Sequence, residues 1–177
     1  MRVVAGSLGG RRLVAPRGAG TRPTSDRVRE AVFSILGDVT GQTVLDLFAG
    51  SGALGIEALS RGAASATFVD SAARAIASVR ANVRALGVEG ADVRRASARA
   101  FLAEARLAER QYDLVLLDPP YRDAARLAGD LSHDLPQVLA PGARIVAESD
   151  RRAPLDLALA LRSERRYGDT LIRVYQP

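Results

Sequence analysis

The fold is decided by one stretch, VLDLFAGSGALG, at Val44–Gly55. Its first five residues, apolar except for Asp46, predict a buried strand, and residues 56–61 continue the stretch as a helix. Between the two, Gly50, Gly52 and Gly55 spell G-x-G-x-x-G, the glycine turn of nucleotide-binding α/β sheets. A strand, a glycine turn and a helix in this order predict a ligand site at the carboxyl end of the first strand.

The acidic residue just before this turn, Asp46, indicates the charge of the ligand. An acid is less expected in a phosphate site, where the helix N-terminus would hold an anion. A carboxylate instead favours a cation, such as the ammonium of S-adenosylmethionine, which carries no phosphate. Gly50 and Gly52 would let the backbone approach that ligand closely. Phe48 is a candidate wall of the same pocket, and Ala49 belongs to the same candidate site.

A second predicted strand, residues 66–70, ends in Asp70, 20 residues after Gly50. An acid at this place can accept both ribose hydroxyls of an adenosyl group, a contact that NAD and S-adenosylmethionine both need. The structural alternative is an N-cap of the following helix, for which Ser71 competes. Asp70 and Ser71 are therefore candidate cofactor contacts.

The motif Asp118-Pro119-Pro120-Tyr121 follows the apolar run at 112–117 and so stands at the same predicted sheet edge. It suits the methylation of an exocyclic amine, whose lone pair is delocalised into a flat base. A carboxylate and a carbonyl that accept its two N–H bonds favour the pyramidal, nucleophilic form. The prolines would fix the carbonyl's direction, and the tyrosine ring would stack on the base. The alternative is an ordinary strand that ends in a Pro-Pro turn.

Together these stretches resemble a class I methyltransferase of the bacterial 16S ribosomal RNA guanine-N2 methyltransferase family (RsmD), over nearly the whole chain. The resemblance rests on residues 2–6, 10–13, 22–30, 46–55 and 118–121 and on Glu148 after a later strand. Asp-Pro-Pro-Tyr alone is shared with adenine-N6, cytosine-N4 and glutamine methyltransferases, whereas residues 22–30 are more specific to this family. One departure is that Ser97-Ala98 stands where similar enzymes often carry an acid that contacts adenine.

The resemblance implies methyl transfer from S-adenosylmethionine to the N2 amine of a specific guanine in 16S ribosomal RNA. Asp118 and the Pro119 carbonyl would orient the amine, Pro120 would fix the turn, and Tyr121 would stack on the guanine. The implied partner is this RNA within the small ribosomal subunit or a late assembly intermediate, bound by a monomer. Ser97, Ala98 and Asp118 are also candidate cofactor contacts, and Glu148 is assigned no role.

Charge is concentrated at the start of the chain. All 25 basic residues are arginine, and residues 1–30 carry seven of them against Asp26 and Glu30, so the net charge of +5 lies in this segment. A localised basic segment is typical of nucleic-acid binding, although a solvated tail would look the same. We expect a basic hairpin and linker extension for RNA at 1–22 and a methyltransferase domain at 23–177. The candidate RNA contacts are Arg2, Arg11, Arg12 and Arg22; Thr24 and Arg27 are assigned no role.

The composition argues against several classes of protein. The chain has 177 residues, 47% of them hydrophobic, which is enough for one domain with a sizeable core. It has no cysteine and one histidine, His133, so we expect neither disulfides nor a metal site. No apolar run approaches 18 residues, so we expect no membrane partner and a cytoplasmic protein.

The pattern predicts an α/β fold, namely a Rossmann-like, doubly wound, mainly parallel sheet with a small N-terminal β-hairpin. The resemblance implies seven strands with an antiparallel last one. Strands are expected near 43–48, 66–70, 91–95, 112–117 and 143–148, with a closing hairpin at 163–167 and 170–175. Helices are expected at 25–36, 53–61, 72–86, 97–108, 123–139 and 155–161, with Pro136 breaking or restarting the fifth.

Three alternatives stay open on the sequence. A dehydrogenase fits the glycine turn and Asp70. A dehydrogenase would need a second, substrate-binding domain, which this sequence does not show, and it leaves residues 118–121 unexplained. An adenine-N6 methyltransferase on RNA or DNA fits those residues, but it usually carries a larger recognition region. A non-catalytic ribosome assembly factor would keep the fold without needing residues 118–121.

Overall fold

The computed structural model describes residues 1–16, 25–120 and 124–177, which form an α/β sheet covered by helices on both faces. The helices are α1 (Asp26–Leu36), α2 (Ala53–Ser60), α3 (Ala73–Leu86), α4 (Ala98–Leu107) and α5 (Ala124–Asp134). The strands are β1 (Thr43–Leu47), β2 (Ser65–Asp70), β3 (Ala91–Arg95), β4 (Tyr112–Leu117), β5 (Leu139–Asp150), β6 (Leu161–Tyr167) and β7 (Thr170–Tyr175).

The seven strands lie in the order β3-β2-β1-β4-β5-β7-β6. Strands β1 to β5 are mutually parallel, and β7 runs antiparallel to both of its neighbours. The doubly wound sheet and its antiparallel last strand are thus confirmed. Strand order reverses between β1 and β4, which is the position where open α/β sheets bind ligands.

The central strands are buried on both faces, because helices cover the sheet from both sides. Val44 and Leu114 pack into the cluster that contains residues of α1, α2 and α3. Leu45 and Val115, one position along, pack into the cluster that contains residues of α4 and α5. The apolar runs of the sequence therefore correspond to strands with two buried faces.

Helix ends follow the expected chemistry. The Ser25 hydroxyl accepts a hydrogen bond from the Val28 N–H at 3.2 Å, so Ser25 is the N-cap of α1. Gly37 ends α1 at φ 68°, and Gly87 ends α3 in the left-handed conformation. Helix α5 stops at Asp134, and a 3-10 turn that contains Pro136 follows, because proline cannot supply the N–H that a helix interior needs.

Two predicted elements differ in the structure. Strand β5 begins at Leu139, four residues early, and its pairing with β4 shifts register between Tyr112 and Leu114. The predicted helix at 155–161 is wrong, since residues 154–160 contain neither helix nor strand. Leu155 and Leu157 are buried two positions apart, and the Tyr175 hydroxyl donates to the Leu155 carbonyl and accepts from the Leu157 N–H. This period of two belongs to extended chain.

The predicted N-terminal hairpin is reduced to one antiparallel bridge between Arg2 and Arg12. Backbone bonds from Val3 to Arg11 (2.9 Å) and from Leu13 to Met1 (3.1 Å) flank it. We call residues 1–16 the arm. Among the described residues, no helix is long and apolar enough to cross a lipid bilayer.

Candidate active site at the carboxyl edge of the sheet

Three of the predicted site residues lie at the ends of three neighbouring strands, at the same height in the sheet. Leu47 of β1 pairs with Val69 of β2 on one side and with Leu117 of β4 on the other. The next residues along these strands are Phe48, Asp70 and Asp118, so these three stand side by side. With strands about 4.8 Å apart, Asp70 and Asp118 lie roughly 10 Å from each other across β1.

The glycine turn begins with a strained residue. Phe48 has φ 77°, a left-handed conformation that is rare outside glycine, and it is held there by hydrogen bonds from Phe48 N–H and Ala49 N–H to the Val69 carbonyl. Gly50 follows at φ 57°, and a Cβ added there would meet only the Phe48 carbonyl oxygen, at 4.0 Å. The space beside Gly50 is therefore open to a ligand, as the sequence predicts.

The other two glycines serve packing. Gly52 is the N-cap of α2 at φ 79°, and a Cβ there would crowd Phe68 and Val79 at 3.3 Å. A Cβ on Gly55 would lie 2.4 Å from the Phe68 ring. Gly55 thus lets α2 approach β2 closely, which is the packing role of the third glycine in this turn.

Asp46 is buried beneath the turn, with 2% of its surface exposed. Its Oδ2 accepts a hydrogen bond from the Gly55 N–H at 2.9 Å. The pKa of Asp46 is raised to about 8, mainly by burial and also by the negative charges of Asp118 and Asp70, and the Gly55 hydrogen bond opposes this rise. A cationic group placed near Asp46 would favour its ionised form, so the site fits an ammonium.

Asp70 organises the turn and stays partly exposed. Its Oδ2 accepts from the Gly50 N–H at 3.0 Å, and its Oδ1 accepts from the Ala72 N–H at 2.8 Å. Ala72, and neither Asp70 nor Ser71, is the N-cap of α3. Each carboxylate oxygen keeps a second lone pair, so Asp70 can also accept hydroxyl protons of a ligand. Ser71 is exposed next to it.

Apolar side chains flank Asp70 on both sides, with Phe48 after β1 and Ala96 and Ala98 after β3. Phe48, Ala96 and Ala98 are all partly buried against the same core cluster. The Ala96 N–H donates to the Asp70 carbonyl at 3.1 Å, which ties the turn after β3 to the end of β2. The Ser97 hydroxyl accepts from the Ala100 N–H at 3.2 Å as the N-cap of α4. These residues could hold a flat base between apolar side chains.

The motif after β4 is described in part. Asp118 is half-buried, Pro119 is buried and Pro120 is exposed, whereas Tyr121 lies outside the described residues. Glu148 follows Ala147, the β5 partner of Leu117, so it stands at the level of Asp118, and it is 4% exposed. Three acids, Asp70, Asp118 and Glu148, therefore lie along this edge of the sheet, each at or near the end of a different strand. Within the described part of the chain, no acid or histidine cluster could hold a metal ion.

The candidate RNA residues lie partly together. Arg2 and Arg12 are opposite each other in the antiparallel bridge and, like Arg11, are exposed. Like charges directly opposite destabilise a pair, so an anion bound to both would relieve that repulsion. Arg27 is exposed on α1, while Arg22 and Thr24 lie outside the described residues.

Sequence reasoning missed the residues that dock the arm. Glu57 is fully buried in α2 and accepts from the Val4 N–H (2.7 Å), the Ala5 N–H (3.0 Å) and Arg61 Nε (2.8 Å). Its signal was a lone acid in the otherwise apolar helix ALGIEALS. Arg29, fully buried in α1, donates to the Arg2 carbonyl and to Asp26.

A second clamp joins the arm to the glycine turn. Asn82 of α3 is 1% exposed; its Oδ1 accepts from the Val14 N–H at 2.8 Å. Its Nδ2 donates to the Val14 carbonyl and to the Ser51 carbonyl, both at 2.9 Å. An amide in the apolar stripe of α3 was its only sequence signal. The arm is therefore packed against the domain and is linked to the glycine turn through Asn82.

Known proteins share this whole architecture. A family model described as conserved hypothetical protein 95 matches residues 1–176. YlbH of Bacillus subtilis, which carries a provisional rRNA methyltransferase name, is 40% identical over 181 residues, covering 99% of this chain and 98% of YlbH. Ribosomal RNA small subunit methyltransferase D of Haemophilus influenzae is 35% identical over 182 residues, covering 99% and 93%. A hypothetical protein of Thermus thermophilus has a solved structure with a TM-score of 0.86 and 31% identity, covering 100% and 99%.

Proposed function

Since this chain belongs to the RsmD family of ribosomal RNA methyltransferases, which the conserved hypothetical protein 95 model describes, we propose that it methylates the N2 amine of a specific guanine in 16S ribosomal RNA. The observation that carries the proposal is that Phe48, Asp70 and Asp118 lie side by side at the carboxyl ends of three neighbouring strands. With this placement, the proposed amine-binding carboxylate, Asp118, is about 10 Å from the proposed ribose contact, Asp70.

The residues around the glycine turn suit S-adenosylmethionine, which supplies a methyl group already activated by its sulfonium. Asp46 would favour the ammonium end, and the open backbone at Gly50 would admit the ligand. Asp70 would accept the ribose hydroxyls. Phe48 and Ala98 would enclose the adenine, with Ser71 and Ser97 at its border. The departure at Ser97 from the family's usual acid leaves apolar contact to do most of that binding.

The residues after β4 would handle the amine. Asp118 and the Pro119 carbonyl would accept its two N–H bonds, which orients the nitrogen and stabilises positive charge as it develops. The methylated nitrogen would then lose a proton to Asp118 or to water. Pro120 would hold the turn, and Tyr121 would stack on the guanine. Alignment of the reacting atoms supplies most of the rate, so no strong base is needed.

The arm would hold the RNA backbone through Arg2, Arg11, Arg12 and Arg22 while the guanine leaves its stack, at a cost of a few kcal/mol. With so small an RNA-binding extension, the proposed substrate is the small subunit or a late assembly intermediate, whose shape adds to recognition. The proposed enzyme is a cytoplasmic monomer.

The test is radiolabelled methyl transfer from S-adenosylmethionine to unmethylated small subunits, protein-free 16S RNA and duplex DNA, followed by nucleoside analysis. We expect N2-methylguanosine at one site, with more label on subunits than on free RNA. N6-methyladenine would replace the proposal with the adenine alternative. Binding of S-adenosylhomocysteine with no transfer to any of the three would favour an assembly factor.

A further inference from the structure

An arginine-lined cleft lies at the other end of the same sheet edge. It has a volume of about 270 Å³, and its charged lining consists of Arg151, Arg152, Glu164, Arg166 and Arg173. The sequence alone showed residues 31–177 as neutral overall. The fold brings four arginines and one acid into this lining, and two further acids, Asp156 and Asp169, pair with Arg173 and Arg151. The neutral part of the chain therefore carries a second, weakly basic surface.

The charges within the cleft are not balanced. Glu164 accepts from Arg173 at 2.9 Å, and Asp156 accepts from Arg173 at the same distance, so the 15% exposed Arg173 is neutralised. Arg166 reaches the same Glu164 at 3.3 Å but is 72% exposed. Arg152 is exposed and, among the described residues, makes no ion pair. Arg152 therefore carries the uncompensated charge, and Arg166, which shares Glu164 with Arg173, adds a second exposed guanidinium.

The cleft flanks the candidate active site on the side away from the arm. Strand β5 continues two residues past the level of Asp118, so Arg151 and Arg152 stand beyond that edge. Arg166 lies near the end of β6, three strands and about 14 Å from β4. The arm contacts α2 and α3, which connect β1, β2 and β3 on the other side.

We propose that this cleft binds backbone phosphates of the substrate RNA, on the side of the target nucleotide opposite the arm. Arginine's planar fork matches phosphate oxygens, and two exposed forks on neighbouring segments suit successive groups of one backbone. Contacts on both flanks would hold the strand while the base between them turns into the site. The identity of the RNA rests on the proposed function; the phosphate site itself rests on the cleft.

The test is binding of a fluorescent small-subunit RNA transcript between about 50 and 200 mM salt, with Arg152→Glu/Arg166→Glu compared with wild type. If two phosphates are lost, the slope of log K against log salt should fall by roughly 1.4 in magnitude. The charge-preserving Arg152→Lys/Arg166→Lys variant should keep the slope. Arg80→Glu/Arg84→Glu, two exposed changes on α3 that reverse the same number of charges, serves as the matched control and should lose far less affinity.

Affinity for S-adenosylhomocysteine and the unfolding temperature should be unchanged in all three variants, which separates lost RNA contact from misfolding. A slope equal to that of the Arg80→Glu/Arg84→Glu control would overturn the proposal. Intact RNA binding with loss of binding to anionic phospholipid vesicles would overturn it in favour of a membrane surface. The assay needs no catalysis, so a failure of the proposed reaction would show separately, in the wild-type nucleoside analysis.

Discussion

Replacing Asn82 with alanine removes three hydrogen bonds at once, because one buried amide holds Val14 by both its backbone groups and also holds the Ser51 carbonyl. A neutral hydrogen bond contributes about 0.5–1.5 kcal/mol net. The three together should contribute roughly 2–4 kcal/mol to the free energy of unfolding. For a domain of this size, a loss of about 3 kcal/mol lowers the unfolding temperature by about 6–12 °C.

Thermal and urea unfolding measure this loss, and amide hydrogen exchange shows where it acts. The Val14 N–H should exchange at least about tenfold faster in Asn82→Ala, since its acceptor is gone. The affinity for S-adenosylhomocysteine should fall too, because the Ser51 carbonyl loses its anchor. Arg80→Ala, an exposed change on the same helix, is the control and should stay within about 0.5 kcal/mol of wild type.

The Asn82→Asp variant tests the direction of the bonds. It keeps an acceptor for the Val14 N–H, but at neutral pH its second oxygen faces the Val14 and Ser51 carbonyls, which have no proton to give. It should therefore be less stable than Asn82→Ala, and it should recover as the pH is lowered and the carboxyl gains a proton. If Asn82→Ala has the unfolding free energy of wild type and the Val14 N–H exchanges no faster, the hydrogen bonds of Asn82 do not hold the arm in place.

Three further outcomes are expected. Between about pH 6 and 8, Asp46 of the ligand-free protein holds a proton, because its pKa is raised to about 8. A cationic ligand favours the ionised carboxylate, so this proton should be lost on binding. The affinity for S-adenosylhomocysteine should therefore rise by up to about tenfold per pH unit and level off near pH 8. Asp46→Asn should flatten this profile, and an equally steep profile in that variant would contradict the assignment. Gly55→Ala should destabilise the fold by about 1–3 kcal/mol in urea unfolding, since its Cβ would lie 2.4 Å from the Phe68 ring; unchanged stability would mean that α2 shifts freely. Asp118→Ala should abolish methyl transfer while S-adenosylhomocysteine affinity stays largely intact, and normal transfer would remove Asp118 from the reaction.

The parts of the site that could be predicted are local. Asp46, Gly50 and Gly52 belong to one strand–turn–helix unit, whose pattern fixes both its structure and its position at the sheet edge. Asp70 followed from its spacing, since parallel strands bring their carboxyl ends together. Glu57 and Asn82 could not be assigned, because their partners lie 53 and 68 residues away and leave no periodic trace.

Misread patterns account for other differences. The run LDLALAL at 155–161 alternates with a period of two, and the buried Leu155 and Leu157 follow that period rather than a helical one. The arginine cleft depends on strands β6 and β7 lying beside β5, so a count of charge along the chain averages it away.

The docking of the arm sets an order of events during synthesis. Val14 leaves the ribosome before Asn82, its partner 68 residues later, so at about 5–20 residues per second the arm waits roughly 3–14 s for that contact. Glu57, the partner of Val4, arrives somewhat earlier. A nascent chain that ends before α3 lacks Asn82, so we expect Leu13, which is buried in the finished protein, to be open to proteolysis. During these seconds an arginine-rich segment would lie close to the RNA of the ribosome without its contacts to α3.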